Sequence, residues 1–114
     1  MHPSSTEAFR AARDLLLAQR GHHDAAVAGF RWPQLQHFNW ALDWFDVWAR
    51  DNHAIALWVV NEDGSEQRYS FVQMAERSNR VANWLRSRGV KRGDRMLLML
   101  GNVAPLWEIT LAAI

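Results

Sequence analysis

Between Tyr69 and Asn102 the chain reads YSFVQMAERSNRVANWLRSRGVKRGDRMLLMLGN, a helix-period pattern joined by a charged turn to a wholly apolar run. Ser70 is an N-cap type, and Gln73 stands three residues on, where its side chain reaches back to the cap backbone. Phe71, Met74, Ala75, Ser78, Val81, Ala82 and Leu85 recur at the spacing of one buried helix face. Gly89, preceded by Arg86 and Arg88, supplies a left-handed C-terminal residue behind a cationic last turn. Lys91-Arg92-Gly93-Asp94 reads as a turn. Met96 to Leu100 is an unbroken apolar run, which predicts a strand covered on both faces, as in a parallel sheet.

A second apolar run, Ile55 to Val60, predicts another strand. Asn61-Glu62-Asp63-Gly64 reads as a turn, and Gln67 to Phe71 returns in alternation, giving a hairpin. With a helix between strands Ile55–Val60 and Met96–Leu100, a right-handed crossover follows. The expected fold class is α/β, with helices packed on a mixed or parallel sheet.

Towards the amino end, Ser4 and Glu7 have capping-box spacing, and Ala8, Phe9, Ala12, Leu15, Leu16 and Gln19 continue one face to a stop at Gly21. Arg10, Arg13 and Arg20 on such a helix admit a mitochondrial presequence. Glu7, Asp14 and Asp24 favour an ordinary surface helix, because presequences are poor in acids. The expected location is therefore cytoplasmic rather than the mitochondrial matrix. Asn39 is a candidate cap for a helix whose Trp40, Trp44, Val47 and Trp48 line one face, with Ala41 and Phe45 beside it. An aromatic platform for a sugar, base or acyl group is one reading; a helix docked on a larger body is the plainer and preferred one. Asp43 and Asp46 read as dipole partners and solvent-facing charges rather than a catalytic pair.

Composition excludes several classes. Formal charge is +1, and no block of like charge marks a nucleic-acid tail. The absence of cysteine removes disulfides, thiol nucleophiles and thiolate metal sites. No apolar stretch approaches the ~20 residues that span a bilayer. His22-His23-Asp24 holds ligand types, but neighbouring histidines in a loop diverge, and His2, His37 and His53 stand alone. Arg86, Arg88, Lys91, Arg92 and Arg95 could meet phosphate, although compensation of the helix end accounts for most of them. Gly89, Gly93 and Gly101 lack nucleotide-loop spacing, and no serine–histidine–aspartate signature occurs.

Several pieces then line up. Tyr69-Ser70-Phe71 opens a helix that contains Ser78-Asn79-Arg80-Val81-Ala82-Asn83-Trp84-Leu85. Arg88-Gly89-Val90, Lys91-Arg92-Gly93-Asp94-Arg95 and Leu100-Gly101-Asn102 follow, ahead of an aromatic helix. From about Phe38 to Ile114 this succession resembles the start of the AMP-forming adenylate synthetases, which include acyl-CoA synthetases, luciferases and peptide-synthetase adenylation domains. Phe38-Asn39-Trp40-Ala41 and Ala56-Leu57-Trp58-Val59-Val60-Asn61 look most like medium-chain and aryl acyl-CoA synthetases. Gly101 departs from the pattern, since many relatives carry proline there.

The resemblance implies a parent enzyme of fatty acid metabolism that uses ATP, magnesium and coenzyme A to convert a carboxylic acid to an acyl-adenylate and then a thioester. The family's glycine- and serine-rich phosphate loop, its adenine and acyl contacts and its catalytic lysine have no counterpart up to Ile114. No catalytic, cofactor-binding or metal residue is therefore assigned, and this segment alone is expected to be inactive and to bind no cofactor. Residues 1–37 form an expected lead-in, and 38–114 the first part of the AMP-binding domain, whose partner is the remainder of its own enzyme chain. Leu106, Trp107, Ile109, Leu111, Ala112 and Ile114 run on without a stop signal, which points to a helix cut within its course. The rival reading is a free-standing α/β module that docks a partner through the tryptophan helix.

Overall fold

The computed structural model describes residues 4–114, in two compact units that divide between Asn39 and Trp40. In the first unit, helix α1 spans Ser5–Ala18 and helix α2 spans His23–Gly29. Ser4 Oγ accepts the Glu7 backbone N–H at 3.2 Å, and the Glu7 carboxylate accepts the Ser4 N–H at 2.8 Å. The capping box is thus complete and satisfies two donors that a helix start leaves orphaned. Phe9 stacks on Phe38 with centroids 4.9 Å apart. No residue described in this unit is fully buried, so it rests on half-buried contacts.

The second unit opens with a π-helical turn, Trp40–Phe45, that runs into helix α3, Asp46–Ala49. Asp51 adopts a left-handed φ of 54°, which a short polar side chain tolerates better than most. Asn52 then bonds back to Trp48 O and accepts the Ala54 N–H, steering the chain into strand β1, Ile55–Val60. Strand β2, Glu66–Ser70, pairs with β1 antiparallel, with Leu57 opposite Tyr69 and Val59 opposite Gln67. Gly64 at φ 81° closes the turn, where the Asp63 carboxylate accepts from both the N–H and the hydroxyl of Ser65. Those bonds hold the Asp63 pKa below its ordinary value, the hydroxyl bond contributing most.

Strand β2 passes directly into helix α4, Phe71–Ser87. Ser70 Oγ accepts the Gln73 N–H at 3.2 Å, and Gln73 Oε1 accepts the Ser70 N–H at 2.9 Å. At the far end the Val90 N–H reaches Leu85 O and the Gly89 N–H reaches Arg86 O, with Gly89 at φ 87°. This is a Schellman ending, in which the left-handed position lacks a Cβ and two late carbonyls find donors. The turn at Lys91–Asp94 also forms, Asp94 accepting the Lys91 N–H at 2.8 Å. Helix α5, Ala104–Ala113, completes the unit with Pro105 in its first turn.

The core is small. Phe45, Ala49 and Met74 are buried, with Ala56, Leu57, Tyr69, Phe71, Ala75 and Leu111 packed against them. Phe45 meets Phe71 with ring centroids 5.9 Å apart. The α/β class stands, with helices on a sheet.

Three expectations are corrected. The predicted strand at 96–100 has no regular secondary structure, with Leu97 and Met99 almost wholly exposed. Among the described residues the sheet is accordingly an antiparallel hairpin with no parallel crossover. A doubly covered strand needs a paired neighbour and a layer on each face, and the two-strand hairpin supplies neither to this run. On the aromatic helix, Ala41, Phe45 and Ala49 form the buried face, while Trp40 and Trp48 remain exposed. Alanines let the helix axis approach α4 closely, which indoles would prevent, and Trp44 and Trp48 stack on each other instead at 6.1 Å. Finally, Val81 and Leu85 are half-buried rather than buried.

Candidate functional site

A half-open recess of about 300 Å³ lies in the second unit. Four elements line it. The π-helical turn brings Trp40 and Phe45 together, centroids 5.8 Å apart, because its wider winding places residues five apart on one face. Strand β1 contributes Ala56 and Leu57, and α4 contributes Met74. Trp107, Thr110, Leu111 and Ile114 come from α5 at the i, i+3, i+4, i+7 spacing of one helix face.

The side chains that line the recess carry no titratable group. Its single hydroxyl, on Thr110, donates to Leu106 O at 2.7 Å and is thereby satisfied. Such a surface buries apolar matter; it offers no nucleophile, acid or base.

A partly buried ion pair lies on the helix pair that frames the recess. Arg77 Nε donates to Glu108 Oε1 at 2.5 Å, tying α4 to α5. The Glu108 side chain is only 9% exposed and that of Arg77 42%. The Arg77 guanidinium also lies 5.0 Å from the Tyr69 ring centre, which joins the pair to β2. A carboxylate buried to that degree needs its cation, so the contact fixes how α5 sits on α4.

The candidates considered from sequence fall elsewhere. His23 Nδ1 stands 3.3 Å from an Asp24 oxygen on the exposed start of α2, and His37 and His53 are exposed. His2 lies outside the described residues. Among the described residues no three histidine, cysteine, aspartate or glutamate side chains are grouped to hold a metal ion. Arg86, Arg88, Lys91, Arg92 and Arg95 are all exposed, with Arg88 over the Trp84 ring at 5.6 Å. Asp43 and Asp46 are half-buried rather than solvent-facing, and burial raises the Asp46 pKa. The recess itself was missed. Its α5 face is visible as a spacing, but that helix is apolar nearly all round, so no single face stands out.

Comparison with known proteins places the sequence in a family. The family described as AMP-binding enzyme matches residues 44–114, and the chain belongs to it. Human acyl-coenzyme A synthetase ACSM5, mitochondrial, is 36% identical over 84 residues, covering 68% of this chain and 14% of that protein. The mouse protein of the same name is 34% identical over 94 residues, 76% of this chain and 16% of its own length. Human acyl-coenzyme A synthetase ACSM2B, mitochondrial, is 33% identical over 118 aligned positions, 97% of this chain and 19% of that protein. The chain therefore spans less than a fifth of these relatives. No solved structure matches it.

The relatives overturn the expected cytoplasmic location, since each of these three is named as mitochondrial. The acids that favoured the cytoplasm have local structural roles. Glu7 closes the capping box, and Asp14 pairs with Arg13 at 2.5 Å. Both describe how α1 is stabilised and carry no address.

Proposed function

We propose that this chain is the N-terminal scaffold segment of an AMP-forming acyl-CoA synthetase. In the parent reaction a carboxylate attacks the α-phosphorus of ATP and expels pyrophosphate, leaving an acyl-adenylate. The thiol of coenzyme A then attacks the acyl carbonyl, and AMP departs as the thioester forms. Residues 38–114 are the first part of the AMP-binding domain, and 1–37 are a lead-in to it. The partner of the segment is the remainder of its own enzyme chain, and the substrate is a carboxylic acid.

The observation that carries this reading is the largely apolar recess, whose lining apart from Trp40 lies in the family-matched region. ATP with magnesium needs convergent cations and N–H donors, and coenzyme A needs similar contacts for its phosphates. The recess brings one hydroxyl already bonded to Leu106 and the indoles of Trp40 and Trp107, with no cation, so its residues do not fit these groups, and no reaction step is assigned to them. The segment's part is mechanical. The hairpin and α4 supply framework, and Arg77 with Glu108 holds α5 on it. Family membership supports this over a free-standing docking module.

The test is acid-dependent pyrophosphate release. The 114-residue chain, given ATP, magnesium and a panel of aliphatic and aromatic acids, is expected to stay at the blank. Release above the blank that requires the added acid would overturn the scaffold assignment.

A further inference from the structure

We draw no further inference here: the strongest candidate, the half-open apolar recess between the π-helical turn, β1, α4 and α5, is an unpartnered apolar surface, and nothing in the structure shows what covers it.

Discussion

Met74→Ala tests whether the core has been located correctly. Met74 is 3% exposed and lies in the cluster with Phe45 and Ala49, so truncation removes nearly all of a buried methionine's contacts. Full burial of such a side chain stabilises by roughly 1.5–3 kcal/mol, and truncations of this kind cost about 2–5 kcal/mol once the cavity is included. Met74 also borders the recess, so part of the new space joins an existing opening, and the lower part of that range applies. We expect ~2–3 kcal/mol, against ~1 kcal/mol for Leu85→Ala, whose side chain is only half-buried. The measurement is urea unfolding followed by tryptophan fluorescence, made in the intact enzyme proposed above. A Met74→Ala cost under about 0.5 kcal/mol, the surface range, would refute the core assignment. So would a Leu85→Ala cost equal to that of Met74→Ala.

Arg77→Met strands the Glu108 carboxylate in a buried position and should cost ~1.5–3 kcal/mol, below the range for fully buried pairs because Arg77 is itself partly exposed. Adding Glu108→Leu should recover most of that loss, and a double variant no more stable than Arg77→Met would exclude the pairing. Burial raises the Asp46 pKa, so its carboxylate is penalised in the fold at neutral pH, and the penalty fades as pH falls through the folded pKa. Asp46→Asn should therefore raise Tm at pH 7 and give no gain once Asp46 is protonated; an equal gain at both pH values would contradict this. Asp63 and Glu7 have the opposite sign: their lowered values stabilise above the ordinary carboxylate range and lose that contribution as pH falls below it. The 114 residues alone should bind a hydrophobic dye or aggregate, given a small core and exposed Leu97, Met99 and Trp48, whereas a sharp, dye-free thermal transition would contradict that.

What was legible in the sequence was what is encoded locally. Ser70 with Gln73, Ser4 with Glu7, and Gly89 after an arginine-rich turn each specify a helix end through bonds within a few residues. The hairpin was equally readable, because Asn61–Gly64 closes it and β1 carries its apolar signal. Features that depend on distant partners were not readable. An apolar run at 96–100 states a need for cover without saying what pairs with it. On the Trp40–Ala49 helix, bulk does not mark burial, and the π-helical turn shifts the phase on which a regular helical wheel depends. The Arg77–Glu108 bond joins residues 31 apart in sequence. Neither residue is marked by spacing, so only the packing of α5 on α4 brings them together. The recess likewise draws on four elements, each of which alone reads as ordinary core.

The reading of the parent reaction stands or falls on the nucleotide product. Incubating the intact enzyme that contains this chain with ATP, magnesium, coenzyme A and a medium-chain or aryl carboxylic acid should yield AMP, pyrophosphate and the acyl thioester in equal amounts. A nucleotide product of ADP with orthophosphate, or AMP formation indifferent to the acid, would contradict it.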